Sequence, residues 1–217
     1  MAHLPRRCKS GSQWTLEDLE AFNIHISPSG NVPSFSSSEP INPFAFRATL
    51  ELMKNFKGSV VDYVSQVSQM STTGNDGMAR HLAQDCAVRL FHLGGYISHG
   101  RSIGEDGNLM ITMCGVRTEV DIDVYIKDRN GLFTVLQANE IGPGGSHPEA
   151  RVIAGAIAAY QYNKERAQEL GIVLPDPYVL SCIVMMGISI KYLQVPVHTW
   201  LDDAIRNGTY PERETII

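Results

Sequence analysis

The chain has 217 residues, 43% of them apolar and 19% charged, with 18 Lys and Arg against 23 Asp and Glu for a formal charge of −5. This length suits one large domain that needs no disulfide or metal to hold it together. The composition excludes collagen, disordered and coiled-coil classes, and the acidic balance excludes a strongly basic nucleic-acid coat.

Residues 1–12 read as a loose arm with a basic start, but Ser, Gly, Gln and Trp14 follow instead of the apolar run of a secretory signal. No apolar stretch reaches the length of a membrane span. Cys8, Cys86, Cys114 and Cys182 form no CxxC pair and are expected as reduced, mostly buried thiols, which fits a cytoplasmic or nuclear protein. Thr15 and Asp18 are placed to open a short helix through Leu19 and Phe22. Four prolines and three consecutive serines make residues 27–43 a loop. Phe46, Leu50, Met53 and Phe56 then recur at helical spacing up to Gly58, and residues 60–67 also suit a helix.

From Met78 the pattern sharpens. A helix over 78–93 carries Leu82, Cys86, Leu90 and Leu93 on one face. Strand-like segments follow at 96–103, 109–114, 118–126 and 132–138. Residues 104–107 are expected to make a hairpin turn, Gly115 a bulge, and residues 128–131 a second turn. A Gly-rich loop, 142–146, leads to a long helix in which Ser146 and Glu149 form a capping box, Pro148 sits in the first turn and Gly171 terminates. Residues 179–186 and 188–195 form a strand pair bent at Gly187, and residues 200–206 a closing helix before Gly208. The expected class is α/β: a mixed sheet flanked by helices from 78 to 217, with residues 1–77 as an arm and helices packed on it.

Two segments carry the candidate chemistry. In an alternating strand Asp121 and Asp123 share one face, with Val120, Ile122 and Val124 on the other. Acids on so apolar a strand either bind a cation, for which Mg²⁺ or Mn²⁺ suits oxygen ligands, or one faces solvent while the other caps a turn or pairs with Arg117. On the neighbouring strand Ala138 and Glu140 share a face, so Asp121, Asp123 and Glu140 could converge at the sheet's end. Otherwise Gln137, Ala138, Asn139 and Glu140 are a polar strand end. The Gly-rich loop lacks P-loop and GxGxxG spacing, and the seven histidines form no HExxH pattern.

At these residues the chain resembles a large, poorly characterised, basidiomycete-type fungal family with a PD-(D/E)XK (restriction-endonuclease-like) core. The resemblance runs in order through residues 118–124, 135–137, 147–163, 182–187, 192–197 and 208–211. It implies metal-assisted phosphodiester hydrolysis, with Asp123 at the position of the metal-binding Asp. Where relatives commonly read Gln-Glu-Asp-Lys, this chain reads Gln137, Ala138, Asn139 and Glu140, so a methyl replaces the motif Glu and a carboxylate the motif Lys. A methyl ligates nothing, and a carboxylate does not stabilise developing negative charge. The expectation is therefore a degenerate, non-cutting member that binds nucleic acid, a protein or another copy of itself. The alternative is a Mg²⁺- or Mn²⁺-dependent nuclease with a rearranged site: Asp123, Glu140 and Gln161 catalytic, Asp121, Asp123, Glu140 and Asp85 around the metal, and Arg151 or Lys164 reaching in from the helix. In the bland reading Asp85, Arg151 and Lys164 are solvated and Gln161 bonds backbone.

Overall fold

The computed structural model describes residues 8–27, 58, 76–93, 100–139, 147–186 and 189–217. After a 3-10 turn at Gly11–Gln13 come α1 (Leu16–Ala21), β1 (Ile24–His25), α2 (Asp76–Leu93), β2 (Ser102–Met113), β3 (Val116–Lys127) and β4 (Phe133–Asn139). They are followed by α3 (Pro148–Leu170), β5 (Tyr178–Met186), β6 (Ser189–Val197), α4 (Thr199–Asn207) and β7 (Thr215–Ile216). The main sheet runs β2-β3-β4-β5-β6. Its one parallel pair is β4 with β5, and the other three pairs are antiparallel. A parallel pair needs a crossover, and α3 supplies it.

Helices cover both faces of this sheet. Strand alternation sends Leu136, Ala138, Cys182 and Val184 into a core that includes Ala150, Ile153, Ala154 and Ile157 of α3. The intervening Val135 and Met185 point the other way, against Ala83, Cys86, Ala87 and Phe91 of α2. Small residues let α3 lie close to the sheet: a Cβ added at Gly155 would stand 2.2 Å from Ile122 Cδ1. Gly171, at φ 66, closes the helix in the left-handed conformation that glycine adopts without strain.

Residues 8–27 pack on this core, with Trp14, Leu19, Phe22 and Ile24 all in the α3-side cluster, and residues 8–12, expected in a loose arm, are held to β3 by Ser10 donating to the Glu119 carbonyl and Ser12 to Asp121. Asp18 opens α1 by accepting from the Thr15 N–H at 2.7 Å and its hydroxyl at 2.9 Å. β1 pairs in parallel with β7. Gly58, expected to stop a helix, is itself helical; the helices expected over 46–56 and 60–67 otherwise lie outside the described residues, as does Ser146.

Two turn assignments are corrected. Residues 104–107 are not a hairpin but the interior of a twelve-residue β2. The chain turns instead at Cys114 and Gly115, both at positive φ (52° and 76°), the geometry of a primed hairpin turn rather than a bulge. Gly104 and Gly107 answer to packing, since a Cβ at either would lie under 3 Å from the Tyr125 ring. Among the described residues no helix is long and apolar enough to cross a membrane.

Candidate functional site

The alternation expected along β3 fails at Asp123. Ile122 belongs to the core under α3, whereas Val124, two residues on, belongs to the core under α2. The strand changes face between them, and Ile122, Asp123 and Val124 are all buried. Pairing with β2 passes from Glu105 and Val124 to Gly107 and Ile122, and Asp106, the residue passed over, sits at φ 50. A local break in the pleat turns the Asp123 side chain inward.

That carboxylate is fully buried between two arginines. Its Oδ1 lies 2.8 Å from Arg80 Nη2, and its Oδ2 lies 2.8 Å from Arg151 Nη2. Oδ2 also accepts the Asn139 N–H at 2.6 Å. Arg151 Nη2 donates in addition to the Asn139 carbonyl, tying the N-terminal turn of α3 to the end of β4. Gln84 of α2 donates to the Asp123 carbonyl at 3.3 Å and to Asp106 Oδ1 at 2.8 Å. Arg80 keeps 34% of its side chain exposed, but Arg151 keeps 1%. Burial pushes the Arg151 guanidinium below its ordinary range, the Asp123 charge opposes that shift, and Arg80 adds to it. A buried charge of either sign is costly unless paired; here the ion pair compensates in part, since Asp123 Oδ1 and the Nε and Nη1 of Arg151 are buried without a hydrogen-bond partner.

The remaining candidates among the described residues do not gather around Asp123. Asp121 is exposed on β3 and bonds Ser12, its Oδ2 accepting from the hydroxyl at 3.0 Å. Asp85 is exposed on α2. Gln161 stands almost three helical turns beyond Arg151 on α3; its side chain bonds the Thr112 N–H at 2.7 Å and the Thr112 carbonyl at 3.1 Å, and donates to Asp202 at 2.8 Å. Gln161 thus bonds the backbone of β2 and the carboxylate of Asp202. Lys164 pairs with Asp202 at 3.1 Å. Glu140 lies outside the described residues.

The fit of a divalent cation can be judged from the donors present. Both oxygens of Asp123 face guanidinium groups, Ala138 offers a buried methyl, and Gln137 turns its amide to Asn139. Among the described residues no group of three His, Cys, Asp or Glu is placed to hold a metal ion. Among the described residues this donor set does not fit Mg²⁺ or Mn²⁺. At the start of α3, Glu149 is ion-paired with Lys191 and has His147 Nδ1 at 3.6 Å, so its carboxylate is also engaged.

The chain matches no family model, no curated protein and no solved structure.

Sequence reasoning found Asp123 and named Arg151 as a side chain able to reach in from the helix. It missed Arg80 and Gln84. The available signal was physical: one acid on a strand of Val and Ile requires a cation, and α2 carries arginines at 80 and 89.

Proposed function

We propose that this chain is a degenerate PD-(D/E)XK nuclease-like protein of the basidiomycete-type fungal family it resembles, which has lost ordinary phosphodiester cleavage and acts by binding, as a scaffold. The order from α2 through three strands and α3 to β5, with β4 and β5 parallel, suits such a core. The observation that carries the functional reading is the state of Asp123. Each oxygen of this carboxylate faces a guanidinium, Oδ1 that of Arg80 and Oδ2 that of Arg151, cations that stand where a metal ion would have to bind, and Ala138 supplies no second ligand.

The test is incubation of single- and double-stranded DNA and RNA with the protein in Mg²⁺ and in Mn²⁺, beside Asp123→Asn, with circular dichroism confirming that both are folded. The expected result is no cleavage above that variant's background. Metal-dependent cutting that disappears in Asp123→Asn would overturn the reading and establish the rearranged carboxylate site in its place.

A further inference from the structure

β2 is an edge strand, the first in the sheet order, and edges are pairing templates unless something covers them. Gln161 covers one point, since its amide satisfies both the N–H and the C=O of Thr112. Those Thr112 groups therefore point away from β3. By the two-residue period of a strand, so do the N–H and C=O of Met110 and Asn108. These residues line a groove of about 320 Å³ between the Tyr162 and Glu165 turn of α3 and the outer edge of β2, which pairs with no further strand among the described residues.

The groove floor is aromatic and carries unpaired positive charge. Lys127 Nζ stands 4.3 Å from the Phe133 ring centroid, 4.8 Å from Tyr162 and 5.5 Å from Tyr125. Among the described residues no carboxylate lies within ion-pair distance of Lys127 or of Arg117, the other cation lining the groove. Among the described residues Glu165 is the one carboxylate in the lining, which leaves these residues a net charge of +1.

We infer that this groove receives an extended peptide segment that adds a short strand to β2 at Asn108 and Met110 and places an acidic side chain against Lys127 and Arg117. Main-chain hydrogen bonds to a free edge supply affinity in such additions, and the side-chain pocket supplies selectivity. Tyr125, Phe133 and Tyr162 hold the Lys127 ammonium over their ring faces, which keeps it positioned without neutralising it. Gln161 sets the length of the added strand by closing the edge at Thr112. The inference is independent of the Asp123 site and of the nuclease-like reading.

The experiment records amide chemical shifts of the ¹⁵N-labelled full chain during titration with octapeptide pools, randomised except for a fixed central Asp, Asn or Lys. The Asp pool is expected to shift the Asn108 and Met110 amides at concentrations about fivefold lower than the Asn pool, the scale of one exposed ion pair. Lys127→Met should abolish that preference. Met110→Pro should remove the response while leaving β2 paired to β3, because proline is tolerated where an edge N–H faces outward. An Asp pool N-methylated at alternate residues should also fail, and it tests the backbone bonds without altering the protein. Absence of shifts at Asn108 and Met110 with every pool, or an equal response to the Lys pool, would overturn the inference. So would the same shifts produced by single-stranded oligonucleotides and not by peptides.

Discussion

Arg151 and Asp123 meet at 2.8 Å with almost no solvent contact on either side, the arginine from the first turn of α3 and the aspartate from the break in β3. Their bond joins the crossover helix to the middle of the sheet at the point where β4 ends. Removing one member leaves the other charge buried, which typically costs about 3–5 kcal/mol.

Arg151→Met should therefore lower stability to urea by about 3 kcal/mol, the low end of that range because Arg80 still faces Asp123. Asp123→Asn should be similarly damaging. The double variant should cost clearly less than the two single losses added together, since each single loss includes the penalty of stranding the partner. Strictly additive losses would show that the pair is not coupled.

Gly155 of α3 sits over the δ-methyl of Ile122, with the next neighbours, Ile122 Cγ1 and Leu136 Cδ1, at 3.4 and 3.7 Å. Gly155→Ala should cost about 1–3 kcal/mol through overpacking. Ile122→Val removes the clashing carbon, and alone should cost about 0.5–1.5 kcal/mol. Combined, the two should approach wild-type stability, because alanine in a helix interior recovers roughly 0.5–1 kcal/mol over glycine. Thermal melts of the three variants decide it; a double variant worse than Gly155→Ala would mean that some contact other than Ile122 is responsible.

Asp176 anchors the start of α4 through the Thr199 hydroxyl at 2.9 Å and amide at 3.2 Å, with His198 Nδ1 at 3.3 Å. Partial burial pushes its carboxyl upward, but the Thr199 bonds and the neighbouring His198 outweigh that and hold it below the ordinary carboxylate range. A depressed carboxylate contributes stability that is present above the unfolded pKa and is lost as pH falls through the folded one. Acidification below the usual Asp range should thus release α4 first at this end. Because Asp176 is nearly half exposed, the effect should stay under about 1 kcal/mol. Asp176→Asn should flatten that part of the urea-midpoint profile against pH; an unchanged profile would assign the acid sensitivity elsewhere.

The regular elements were readable because their signals are local. Alternating apolar residues mark β3 and β4, and a glycine in the left-handed region ends both α3 and α4. The hairpin was misplaced because Gly104 and Gly107 flank two acids, a composition that favours turns, whereas their lack of side chains serves Tyr125 from the neighbouring strand. No local rule reveals a glycine whose reason lies across a ladder. The candidate site suffered similarly. Strict alternation places Asp121 beside Asp123, and only the change of face at Asp123 separates them, one to solvent and Ser12, the other to the interior. Arg80 is a helix residue more than forty positions away, and although the buried acid calls for a cation, the sequence does not say which arginine of α2, 80 or 89, faces it.

The short ladder between β1 and β7 has a temporal consequence. Ser27 donates to the Ile217 carbonyl, and Ile217 donates to that of His25, so residues 24–27 are fastened by residues 215–217. During synthesis, residues 24–27 emerge long before their partners exist. Trp14 and Phe22 are buried in the same cluster as residues of β3 and α3, which also follow them by about a hundred positions or more. The ladder holding residues 24–27 therefore forms only after residues 215–217, nearly two hundred positions later, have been made.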